Sequence, residues 1–115
     1  MTGLEGGVTV SKSETEIEAA IVERGLNAAR LTPDLIDSAI AGVDYHVFPG
    51  TQKTVCCLSL KNGFSVIGEA ACASPENFDA EIGRRIAYSD AREKIWGLEG
   101  YLLKQRLFEA GGQGQ

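Results

Sequence analysis

Residues 74–107, SPENFDAEIGRRIAYSDAREKIWGLEGYLLKQRL, are the one segment long and periodic enough to dictate an architecture, and they predict a long helix or two helices in series. Ser74 has the chemistry of an N-cap. Pro75 suits the first helical position, where a missing N–H costs nothing, and Glu76 and Asp79 complement the positive end of the dipole. After Ala110 the run GGQGQ has too much backbone freedom to stay helical. At about 100° per residue, Phe78, Ile82 and Ile86 form one apolar stripe, while Ala91, Ile95, Leu98 and Leu102 fall on nearly the opposite side. Either the rod breaks, at Ser89-Asp90 or at Gly97 and Gly100, or a straight helix is covered on two sides by different partners. A small domain has one core, so two apolar faces point to a second subunit.

Upstream, Ser13 to Glu16 has the spacing of a capping box, and Ile17, Ala20 and Ile21 follow at helical spacing until Gly25 offers a left-handed stop. Thr32-Pro33-Asp34 repeats the start signal for a second short helix carrying Leu35, Ile36, Ala39 and Ile40 and ending near Gly42. The pattern then turns β-branched and aromatic. Strands are expected over residues 45–48, 54–60 and 64–67, with Asn62-Gly63 as a type I′ hairpin turn. That turn pairs Leu58 with Ile67 and places Val55, Phe64 and Val66 on the other face. Neither face is cleanly polar, so the sheet needs cover on both sides, which again suggests self-association.

The totals narrow the function. A chain of 115 residues is one domain large enough to fold without metals or disulfides. Its expected organisation is a flexible tail at 1–12, a single α+β domain at 13–109 and a flexible glycine-rich tail at 110–115. No apolar run approaches a membrane span, and the first ten residues lack the pattern of a secretory signal, so the protein is expected to stay where it is made. Cys56, Cys57 and Cys72 have no C-x-x-C spacing and one histidine for company, which fits buried reduced thiols better than a zinc site or disulfides. The net charge of −5 argues against a general DNA or RNA binder, whose affinity rests on neutralising phosphates.

No G-x-S-x-G, P-loop, H-E-x-x-H or Rossmann glycine pattern is present. His46 in an aromatic strand reads as a packed sheet residue, and Cys72 before the Ser74 cap reads as a corner thiol, though a nearby helix terminus would favour its thiolate. The suggestive pattern is on the long helix. Arg85, Tyr88, Arg92, Glu99 and Arg106 fall within about 60° of one another, with Arg84 beside them and Phe78 at the N-terminal end. Guanidinium groups grip phosphates and rings stack on bases, so the stripe could hold a nucleotide. Periodicity alone favours the other reading, a solvated face laced with ion pairs through Glu99. Either way Arg85 and Arg92 are expected at the surface, where truncation costs under about 0.5 kcal/mol.

The runs YHVFPGT, TVCCLSLKNGFSVIGEAACASPENFD and EIGRRIAYSDAREKIWGLEGYLLKQRL closely resemble the Gp49-like family of short phage and prophage proteins. Some members resemble the Thoeris anti-defence proteins of the first kind, non-enzymatic sponges for cyclic ADP-ribose isomers made by bacterial TIR-domain immune enzymes. The resemblance implies a small β-sheet with C-terminal helices, assembled as dimers and hexamers. Ligand would lie where one subunit's helices meet another's sheet, with cyclic oligonucleotides at separate pockets in some members. It implies no cofactor, no catalysis, and residence in the cytoplasm of an infected or lysogenic host. The candidate ligand residues are Phe78, Arg84, Arg85, Tyr88, Arg92 and Arg106; beyond Arg106 the chain has no further arginine.

The expected fold is therefore a small antiparallel sheet of about three strands packed on a long C-terminal helix, with short N-terminal helices, in an oligomer. The alternative function is a phage interaction protein that binds an acidic host surface without any small ligand.

Overall fold

A computed structural model describes residues 12–25 and 29–111. The elements run α1 (Lys12–Glu23), α2 (Pro33–Ser38), β1 (Ile40–Val47), β2 (Lys53–Leu60), β3 (Ser65–Ala71), a 3-10 turn (Pro75–Asn77) and α3 (Ala80–Gly111). The strands form one antiparallel sheet in the order β1-β2-β3, and α3 lies across one of its faces. This is the α+β architecture that the sequence predicts.

Several local signals act as expected. Thr32 caps α2, its hydroxyl accepting from the Leu35 N–H at 3.1 Å with Pro33 at the first turn. Gly25 stops α1 at φ +68. The expected tail at 1–12 lies outside the described residues except for Lys12, which opens α1 and so puts Ser13 inside the helix rather than at its cap. α2 ends at Ser38 and β1 begins at Ile40, earlier than the aromatic run suggests.

The start of α3 differs from expectation. Pro75 opens only a 3-10 turn, and the Ser74 hydroxyl makes no capping bond but donates to Glu76 at 2.6 Å. Asp79 is the cap instead, its carboxylate accepting from the Ile82 N–H at 3.0 Å. From there α3 is one unbroken helix through Ser89-Asp90, Gly97 and Gly100 to Gly111, past the expected break points. It buries Ala87, Ala91 and Ile95 against the sheet, whereas Ile82 and Ile86 stay about half exposed.

The hairpin register is also corrected. Leu58 stands opposite Val66, and Ile67 opposite Cys57. Leu60 bonds to Phe64 across a three-residue loop, Lys61-Asn62-Gly63, in which Gly63 alone has a positive φ, at +92. A type I′ turn needs two such residues, and Asn62 instead uses its side-chain oxygen to accept from the Phe64 N–H at 3.0 Å. One extra loop residue shifts the pairing by one and exchanges the faces. Val66 therefore joins Leu58, Cys56 and Leu60 under α3, and Ile67 turns to the open face with Val55 and Cys57. That open face also carries Asp44, His46, Lys53 and Glu69.

The helix lies very close to the sheet. A Cβ placed on Gly68 would stand 2.8 Å from the Ala91 Cα and closer still to the Ala91 N and Ala87 O, all backbone atoms that cannot swing away. Small residues on both sides permit this approach. Gly68→Ala should therefore destabilise the fold by about 3 kcal/mol, read from the midpoint of urea unfolding. A midpoint equal to wild type would show that α3 can ride higher on the sheet.

Candidate functional site

The predicted arginine and aromatic residues do not meet in one place. On a helix rising 1.5 Å per residue, Arg84 and Arg106 are about 33 Å apart, longer than a small nucleotide. Phe78 packs at the other end of the molecule, in a cleft with Cys72, Asn77, Ile82, Gly83 and Ile86. Arg85 is mostly buried, pairs with Glu81 at 2.8 Å, and has its Nη1 enclosed without a hydrogen-bond partner. Arg84 is exposed beside Tyr45 of β1, and Tyr88 is half-buried one turn on.

Arg92 corrects the expectation of a surface residue. It is 3% exposed, and its donors are committed. Nε donates to Asp37 at 2.8 Å, Nη1 to Glu14 at 2.8 Å and Nη2 to the Pro33 carbonyl at 3.3 Å. Glu14 also accepts from the Trp96 indole N–H at 3.2 Å. Burial opposes the charge on Arg92, but Asp37 and Glu14 outweigh it and hold the guanidinium above its ordinary value. Arg92 is thus the clamp that fastens α1 and α2 to α3.

The thiols divide as well. Cys56 is fully buried, while Cys57 and Cys72 are half-buried, and none is in a disulfide. Cys72 precedes the 3-10 turn, not the N-terminus of α3, and its thiol donates to the Ser74 carbonyl at 3.2 Å. His46 is exposed on the open sheet face and packs edge-on against Phe48 at 4.7 Å between ring centroids.

Another groove lies where α3 runs beyond the sheet. It encloses about 560 Å³ between α2, the β2-β3 loop and the distal half of α3. Its walls bring together two exposed rings, Phe64 and Tyr101, two cations, Lys61 and Arg106, and the apolar floor of Leu60, Leu98 and Leu102. Neither Lys61 nor Arg106 has an ion-pair partner among the described residues. Of the six predicted residues only Arg106 lines this groove. Lys61, Phe64 and Tyr101 were missed, although a hairpin loop flanked by an exposed ring is a common place for a binding side chain.

A three-stranded open sheet roofed on one face by a single long helix, with a ring-and-cation groove at the overhang, defines a small α+β protein. The chain belongs to the phage protein family named for N4 Gp49 and phage Sf6 gene 66, whose model matches residues 31–107, about two thirds of the sequence. No curated protein and no solved structure matches it. The match begins after α1, so Glu14 of the clamp comes from outside the family segment. Among the described residues no helix is long and apolar enough to cross a membrane.

Two outcomes are expected. Arg92→Ala leaves two carboxylates facing a buried gap and should cost about 3 kcal/mol, the lower end of the range for a broken buried pair because Asp37 is partly solvated; exposed Arg84→Ala should cost under about 0.5 kcal/mol. Urea unfolding of both variants decides it, equal midpoints refuting the clamp. The second concerns alkali. Burial, then the charges of Cys57 and Asp44, push the Cys56 thiol from 9.0 up to about 11, and burial likewise raises Tyr45 and Tyr88. Each holds its proton more tightly folded than unfolded. Stability from the thiol is therefore complete below 9 and lost as pH rises through about 11. Unfolding midpoints should fall across that window, and less steeply in Cys56→Ala.

Proposed function

We propose that this phage-family protein binds a cyclic nucleotide immune signal, a cyclic ADP-ribose isomer or a cyclic oligonucleotide, and withdraws it without turning it over. The observation that carries this reading is the overhang groove, where Phe64 and Tyr101 offer faces for a base and Lys61 and Arg106 offer unpaired charge for phosphate. The Thoeris anti-defence proteins, which some members of the family resemble, suggest the biological setting, in which a phage counters bacterial defence from inside the host cytoplasm. Such a protein acts by mass action: its sites must outnumber the messenger and bind it below the concentration that the effector needs. Self-association as a dimer or hexamer belongs to the same reading, since a groove open on one side gains a wall from a neighbour.

Arg84 and Tyr88, with Tyr45, form a second and smaller ring-and-cation patch over β1, which suits a separate contact rather than part of the same groove. Calorimetry with cyclic ADP-ribose isomers and cyclic oligonucleotides tests the proposal. Binding should be seen with at least one of them, and Tyr101→Ala and Arg106→Ala should each weaken it by about tenfold or more. The nucleotide should be recovered intact after heat denaturation of the complex; a cleaved product would make the protein an enzyme. Absence of heat with every nucleotide would overturn the proposal and direct attention to an acidic host protein as the partner of the exposed cations.

A further inference from the structure

The two edges of the sheet are treated differently. On β3 the outward backbone groups are those of residues 65, 67, 69 and 71, because the even-numbered residues 66, 68 and 70 bond to β2; the Leu60–Phe64 bond fixes that phase. α3 stops this edge. Asp90 accepts from the outward Glu69 N–H at 3.0 Å, and the Lys94 ammonium donates to the outward Ile67 carbonyl. An edge with two outward groups taken by helix side chains is a poorer template for another strand.

β1 has no such stop. The bond from the Phe48 N–H to the Lys53 carbonyl sets the phase, so Asp44 and His46 bond to β2 and Val43, Tyr45 and Val47 direct their N–H and C=O groups outward. None of those outward groups has a hydrogen bond among the described residues. Val43 is 40% and Tyr45 41% exposed. The strand contains no proline and no lysine, and its one irregularity, at Ile40/Gly42, lies outside the stretch 43–47.

We propose that β1 pairs antiparallel with β1 of a second copy, joining two sheets into one across a two-fold axis at Tyr45. The pattern of the strand selects that occupant and that register. With the axis at Tyr45, all three outward residues pair, Val43 with the partner's Val47 and Tyr45 with its own copy. Asp44 then faces the partner's His46 twice over on the open face, at about 4.5 Å between Cα atoms, close enough for an imidazole N–H to donate to the carboxylate. Moving the axis one residue back sets Asp44 against Asp44; moving it one forward sets imidazole against imidazole. On the other face Tyr45 meets its copy beside Arg84 of each subunit, so the pairing also brings the second ring-and-cation patch together from two chains.

This pairing deepens the self-association named above and does not depend on the nucleotide, so it is tested on ligand-free protein. Sedimentation should give a dimer, and amide exchange by NMR should show protection at Val43, Tyr45 and Val47 that disappears on dilution. Asp44→Lys should weaken the dimer by about tenfold or more, since it sets lysine against histidine, and adding His46→Glu to it should restore association. A far-UV circular dichroism spectrum like that of wild type checks that each variant folds. A monomer at high concentration overturns the proposal. So does an oligomer whose three β1 amides exchange freely, which would leave self-association through another surface standing.

Discussion

The backbone of α3 rests almost directly on β3, and the rest of the molecule is arranged by that contact. Gly68 has no Cβ and faces Ala87 and Ala91, so two backbones approach where ordinary side chains would hold them apart. The close approach lets Asp90 and Lys94 reach round to the outer edge of β3 and satisfy two of its free groups. It also tips the larger residues, Leu58, Val66 and Ile95, into one layer with Ile36 of α2, each worth about 1.5–3 kcal/mol of burial.

The second fastening is polar. α1 leaves Ile17 and Val22 more than half exposed, so apolar burial does little to hold it. What ties it down is Glu14, which shares Arg92 with Asp37 and takes the Trp96 N–H. A guanidinium presents donors in a fixed fork, and three acceptors from three places in the chain fit that fork at one orientation. Such a clamp adds less net stability than it adds definition of where the N-terminal helix sits, because desolvation offsets much of the ionic attraction.

The proposed function rests on the length of α3 beyond what it covers. A helix that ended with the sheet would bury its apolar residues and leave nothing over. This one continues past β2 and β3, so Leu98, Tyr101 and Leu102 overhang the hairpin loop and a groove forms beneath them. Among the described residues the cations there have no ion-pair partner, while those at Arg85 and Arg92 are consumed by neighbouring carboxylates. The helix thus separates structural from available charge along its own axis.

Much of the fold was legible in the residues. Thr32-Pro33 and Gly25 mark helix limits by chemistry that acts within a few residues, and the long α3 and three strands follow from periodicity. The family, too, is written in the sequence. The hairpin register was not legible, because Asn62-Gly63 satisfies both a two-residue and a three-residue loop, and only the packing of Val66 under α3 selects one. Nor was the role of Arg92, which a helical wheel places beside Arg85 and Arg106 but which α1 and α2 enclose. The groove joins Lys61 and Phe64 to Tyr101 and Arg106, residues distant in the chain. Local chemistry determines where elements begin and end; which charges are spent and which edge stays open depends on contacts across the chain, and those exist only once it is folded.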